Sequence, residues 1–169
     1  SDDFLKGGTG NDTISTGASG QVAMTGGKGI DQFVGQSNQP STITDFGTNS
    51  QTDTFNLTSA SNTVGITVLS DFTASSSHVN NAGAAVTLTT SGAGVDLNLS
   101  ASSGTKGFTV ATGSADGGVK NAIIGSKFDD SITATAAGST ITGGKGADAL
   151  IGAAGIDTFN QTAGDTTTA

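Results

Sequence analysis

The sequence predicts an all-β chain: a parallel β-roll of short stacked strands at each end and a short-stranded β segment between them. Three observations carry this. Residues 116–160 divide into consecutive nine-residue units, DGGVKNAII, GSKFDDSIT, ATAAGSTIT, GGKGADALI and GAAGIDTFN, whose eighth positions are all apolar: Ile123, Ile132, Ile141, Leu150 and Phe159. The N-terminal end repeats the theme in GGTGNDTIS (7–15) and GGKGIDQFV (26–34). No apolar stripe of helical period is sustained, and Gly, Ser and Thr are too frequent for helix. A fixed internal period decides the architecture before any local propensity does.

In chain order, SDDFLK reads as a truncated unit with Asp3 sixth and Leu5 eighth, and residues 1–34 form the first roll. Residues 35–115 form a β-rich connecting segment. Its ITVL, VTLTT, VDLNLS and FTVAT runs alternate as short strands do, and they either cap the two rolls or widen them into a small sandwich. Pro40 belongs to a loop. Residues 116–160 form the second roll, and 161–169 are a tail or the start of a continuation. SDDFLKGGTG also aligns with KFDDSITATA, which suggests a larger unit restarting near residue 125. With no initiating Met, no signal peptide and an abrupt end, the chain reads as a fragment or a processed piece.

Composition narrows the chemistry. Charged residues are 12% of the chain, fewer than a disordered acidic tail carries, while 27 Gly and 33% apolar residues leave little for a core. The nine side chains of the apolar register (Leu5, Ile14, Met24, Phe33 and the five above) are too few to offset chain entropy. Cysteine is absent, so disulfides are excluded and a metal becomes the leading staple. All 14 acidic residues are Asp and all 6 basic residues are Lys. A net charge of −8 without a basic stripe argues against nucleic acid. No run approaches the ~20 apolar residues of a membrane-spanning helix, so membrane insertion is not expected.

Within a unit, glycines at positions one, two and four permit positive φ and leave backbone carbonyls unshielded. The last triplet is one short strand with its central side chain inward, and two units close one coil. At a strand spacing of about 4.8 Å, units one coil apart bring two turns together. Two sixth-position carboxylates plus carbonyls then supply the six to eight oxygens Ca²⁺ takes. Without a cation those carboxylates repel. The alternative is a metal-free parallel solenoid whose Asp residues merely turn the chain.

These units resemble the RTX (haemolysin-type) calcium-binding nonapeptide GGxGxDxUx. ITDFG (43–47) with TDTFNL (52–57) is similar to a segment that closes an RTX block, and VDLNLS with NAIIGSKFDDSIT to the lead-in of the next. The resemblance implies Ca²⁺ between Asp130 and Asp148, with carbonyls from Gly125, Lys127, Gly144 and Gly146. It implies a second site between Asp12 and Asp31, with carbonyls from Gly7, Thr9, Gly27 and Gly29. Asp157 shares its column with Ser139 and Asn121 and should bind weakly or not at all; the column of Gln21 and Val22 is degraded.

By the same resemblance, the expected role is an extracellular, secreted bacterial structural module that folds on Ca²⁺ in a surface layer, adhesin or filament. Its expected partners are calcium ions, further copies of itself, or other surface proteins and glycans. The alternative is the calcium-dependent accessory or export domain of a type 1-secreted enzyme or cytolysin. No catalytic function is expected: there is no nucleophile elbow, phosphate loop or HExxH, and the paired Asp2/Asp3 and Asp129/Asp130 sit at ligand or turn positions. His78, between Ser and Asn, is expected to be an exposed loop residue; Asp45 and Asp71 are either further ligands or strand-end turns.

Overall fold

A computed structural model describes residues 3–16, 21–35, 41–46, 53–57, 64–81, 86–90, 94–112, 120–134, 138–153 and 155–162. Strands follow in the order β1 (Asp3–Thr9), β2 (Thr13–Ser15), β3 (Val22–Lys28), β4 (Gln32–Gly35), β5 (Ser41–Phe46), β6 (Thr54–Leu57), β7 (Val64–Val68), β8 (Phe72–Thr73) and β9 (Val79–Asn80). They continue with β10 (Val86–Thr90), β11 (Leu97–Asn98), β12 (Ser103–Gly104), β13 (Thr109–Thr112), β14 (Ala122–Ile124), β15 (Ser131–Thr133), β16 (Thr140–Thr142), β17 (Ala149–Ile151) and β18 (Thr158–Asn160). All pairings are parallel. One eight-stranded sheet, β1-β3-β5-β7-β10-β13-β15-β17, runs through the whole solenoid; β2, β4, β6, β9 and β12 form a second sheet, and β8, β11, β14, β16 and β18 a third.

Coil length explains this division. Asp3 pairs with Val22 and Val22 with Ser41, 19 residues each; Ser131 pairs with Ala149, 18 residues. Coils this short hold two strands. Between them Ser41 pairs with Val64 at 23, and Val64 with Val86, Thr87 with Thr109 and Thr109 with Ser131 at 22. The extra residues admit a third strand, so coils carrying β8 and β9, or β11 and β12, are three-sided. The described residues between 64 and 112 neither cap nor sandwich the rolls. They continue the same long sheet, because alternating Val, Leu and Thr stack in register wherever one face is buried.

Three apolar ladders fill the interior. The long sheet contributes Leu5, Met24, Ile43, Ile66, Leu88, Val110, Ile132 and Leu150 in unbroken register. The second sheet stacks Ile14, Phe33 and Phe55, and the third stacks Phe72, Leu97, Ile123, Ile141 and Phe159. Phe46 lies at the centre of an aromatic cluster, 6.2 Å from Phe33, 5.7 Å from Phe55 and 5.0 Å from Phe72 between centroids. The nine-residue register thus undercounts the core. The connecting segment adds Phe46, Phe55, Leu57, Val64, Val86, Leu99 and Phe108, all buried. Phe159, by contrast, is half exposed on the outermost strand of its sheet.

His78 is the clearest departure from expectation. It is fully buried (0% exposed) against Phe46, Phe55 and Phe72, because the turn before β9 folds inward to close the three-sided coil. Pro40 lies outside the described residues.

Candidate metal centre

Each stacked turn is built by glycines with two distinct jobs. At positions two and four the backbone has positive φ: Gly8 (127°) and Gly10 (110°), Gly27 (104°) and Gly29 (137°), Gly144 (112°) and Gly146 (120°). Position one, expected to need the same freedom, has none of it. There the requirement is space: a Cβ on Gly7, Gly26, Gly143 or Gly152 would run into the Oδ2 of Asp12, Asp31, Asp148 or Asp157 in its own turn. The position-one glycine is a cradle for its own sixth-position carboxylate.

In the first turn pair, Gly8 sits on Gly27 and Thr9 on Lys28, and Gly10 N–H donates to the Lys28 carbonyl at 2.7 Å. The Gly8 and Gly10 carbonyls press against Gly27 and Gly29, where a Cβ would displace them. Gly7, Thr9, Gly27 and Gly29 are therefore brought together in one two-layered turn. Asp12 N–H donates to Asp31 Oδ1 (2.9 Å), and Asp31 N–H to Asp53 Oδ1 (2.9 Å), so the carboxylates form a column. The Oδ2 atoms of Asp12 and Asp31 are buried and accept no hydrogen bond. A buried carboxylate oxygen without a donor is costly unless a cation meets it. Among the described residues no three carboxylate or imidazole groups converge, so a Ca²⁺ here must take most of its oxygens from backbone. This pair fits the ion.

In the second turn pair, Gly125 N–H donates to the Thr142 carbonyl, Lys145 N–H to the Ser126 carbonyl, and Asp130 N–H to Asp148 Oδ1 at 2.8 Å. Gly125 stacks on Gly143, Gly144 on Ser126 and Gly146 on Phe128, with Lys127 between the last two partners in sequence, and Asp148 is fully buried beside Asp130. The Asp130 carboxylate is already engaged, however. Oδ1 accepts from Phe108 N–H (2.6 Å), and Oδ2 from Ser126 N–H (2.6 Å) and the Ser126 hydroxyl (2.9 Å). Ser126 and Phe128 stand where the repeat has glycine; Ser126 supplies two of these donors, and the third comes from Phe108 in the preceding coil. Burial pushes the Asp130 carboxyl up to about 6, and repulsion from Asp148 adds to it, while the bonds from Phe108 and Ser126 pull it down. With a folded value above the unfolded one, Asp130 favours the fold at low pH, and that contribution is lost as pH rises through about 6. A divalent cation between the two carboxylates would remove the penalty.

Asp157 is committed to backbone: Oδ1 accepts from Ser139 N–H (2.8 Å) and Oδ2 from Ala153 N–H (2.9 Å). Its column also contains the buried side chains of Asn121 and Ser139. Val22 is a buried strand residue of the long sheet, so that column holds no carboxylate turn. Asp45 caps the second turn, its two oxygens accepting from Gly26 and Gly27 N–H (2.9 and 2.8 Å). Asp71 accepts from Asp96 N–H and Asp96 from Ala122 N–H, a hydrogen-bonded ladder on the third sheet.

Position five was not anticipated. Asn11 Oδ1 accepts from Ile30 N–H at 2.9 Å, and Asp129 Oδ1 from Ala147 N–H at 2.9 Å. Each turn pair is therefore clamped both ways: position five of one turn holds an amide of the next, whose sixth-position Asp holds an amide in return. The signal was present in the ND and DD dipeptides at 11–12 and 129–130. Asn11→Ala is expected to cost about 0.5–1 kcal/mol in denaturant unfolding with Ca²⁺ present, since the half-exposed Ile30 amide can turn to water; Asn11→Asp should be near neutral.

A family model described as the RTX calcium-binding nonapeptide repeat, in four copies, matches residues 1–19 and 124–159. No curated protein and no solved structure matches the chain.

Proposed function

Because the chain carries RTX calcium-binding nonapeptide repeats at both ends, we propose that it is a secreted, extracellular structural module that folds around Ca²⁺ and serves in a surface layer, adhesin or filament. RTX repeats bind Ca²⁺. The observation that carries the reading is the stacked pair Asp12 and Asp31, each with a buried Oδ2 that no hydrogen bond satisfies. In this role the sixth-position carboxylates hold the ion, the paired turns supply carbonyls, and the position-one glycines keep the carboxylates seated. An ion that binds only the folded form stabilises it by RT ln(1 + [L]/Kd). Extracellular modules bind at about 10⁻⁴–10⁻³ M, so folding would follow external calcium.

Calorimetric titration tests this. Ca²⁺ added to the calcium-free chain should bind at both turn pairs, with Asp31→Asn removing the N-terminal event and Asp148→Asn the C-terminal one. Absence of heat up to several millimolar Ca²⁺ would overturn the reading. The assembly role rests on composition: a Cys-free chain with no Trp or Tyr, rich in Thr, Ser, Ala and Gly, suits exposure and self-association. Light scattering with and without Ca²⁺ tests it, and a catalytic domain in the same gene would favour the accessory or export role instead.

A further inference from the structure

The one histidine of the chain is placed where its charge state matters. His78 Nδ1 accepts from Ser75 N–H at 2.8 Å, and Nε2 lies 2.8 Å from the Asp53 carbonyl oxygen, which can only accept. The two contacts fix the neutral Nε2–H tautomer. Phe55 and Phe72 meet the ring edge-on at 5.2 and 5.0 Å, and Phe46 at 6.3 Å.

The elements packed against it bring few other charges. Asp53, before β6, is the acid electrostatically coupled to it. Asp45 and Asp71 adjoin Phe46 and Phe72 in sequence, but their carboxylates are given to the Gly26, Gly27 and Asp96 amides. A proton on Nδ1 would oppose the Ser75 N–H and put a charge among three phenyl rings. Burial accordingly holds the imidazole below its ordinary range, with the Asp53 carbonyl and the Ser75 carbonyl, 3.3 Å from Nδ1, only partly offsetting.

The residue His78 holds is the end of the carboxylate column. Asp53 accepts the Asp31 amide and Asp31 the Asp12 amide, each at 2.9 Å. We propose that His78 is an acid-sensitive latch: neutral, it locks Asp53 and through it the stacked turns of residues 7–12 and 26–31; protonated, it releases the column and weakens calcium-driven folding. This rests on the calcium reading above. The sign follows from linkage: a histidine whose folded value is depressed contributes stability fully present above the unfolded value, near 6.5, and lost as pH falls below it.

The test is a calcium titration of the β circular dichroism signal at pH 7.5 and 5.5, a window in which Asp130 also titrates, equally in native and variant chains, while an ordinary carboxylate titrates below it. The histidine should raise the calcium midpoint of the native chain by up to about threefold at the lower pH, since one unit below its unfolded value costs folding about tenfold and two ions share that cost. His78→Gln, which can donate and accept without titrating, should show a much smaller shift. Imidazole NMR of the native calcium-loaded chain gives a second readout independent of the variant: the single histidine resonance should titrate below its ordinary range. An ordinary titration near 6.5 in the folded state, or equal pH shifts in native and variant chains, overturns the latch and leaves calcium binding standing. A chain indifferent to Ca²⁺ at pH 7.5 overturns both.

Discussion

Chelation of Ca²⁺ is expected to abolish the β circular dichroism signal, millimolar Ca²⁺ to restore it, and equimolar Mg²⁺ to leave the chain unfolded. The first two follow from carboxylates stacked one coil apart. Asp12 and Asp31 each bury an Oδ2 without a donor, and Asp130 is held near 6 by its burial beside Asp148. Leaving charges buried and uncompensated costs several kcal/mol apiece, an appreciable share of the ~5–15 kcal/mol by which a domain is stable. The Mg²⁺ result follows from coordination: turns that offer two carboxylates and a spread of carbonyls suit a large, seven- or eight-oxygen shell and not a tight octahedron. A chain that keeps its far-ultraviolet spectrum in excess EGTA would sink the account of why the turns need the ion.

The second large effect is expected at Gly27. Alanine there must adopt φ near 104°, and its Cβ would occupy the position of the Gly8 carbonyl. Gly8→Ala meets a comparable φ of 127°, but its Cβ enters open space. The backbone term common to both is about 1–3 kcal/mol. Only Gly27→Ala also forces two turns apart, so it should lose about 2 kcal/mol more, the scale of mutations that disrupt a buried hydrogen-bonded network. It should also raise the calcium midpoint steeply. Equal losses in denaturant titrations at saturating Ca²⁺ would show that turn stacking contributes nothing beyond backbone strain.

Much of the architecture was legible in the sequence because the rule behind it is local and repeats. The apolar eighth position predicted Ile132 over Leu150 and Ile123 over Ile141, and two units per coil predicted Asp130 over Asp148; the structure has all three stacked so. What escaped notice depends on coil length, not on motif. Coils of 22–23 residues follow the same stacking but break the nine-residue period, so the connecting segment looked like a separate element. His78 looked exposed because Ser77 beside it and Asn80 close by are polar, whereas its burial is decided by Phe72 of its own coil and Phe46 and Phe55 of the coil before. The site was legible as a set of residues and less so as chemistry. That Ser126, replacing a glycine, and the Phe108 amide of the preceding coil would saturate Asp130 with donors requires knowing which amides face inward.

The unbroken ladder from Leu5 to Leu150 has a further consequence. Each coil pairs its strands with the one before and the one after, while ring contacts such as Phe55 with Phe108 reach further, so free energy propagates largely as a string of nearest-neighbour couplings, as in repeat arrays. Order can then spread from whichever end first captures its ion. A lesion at the three-sided middle would divide the molecule into two independently melting halves, seen as a single calorimetric peak splitting in two.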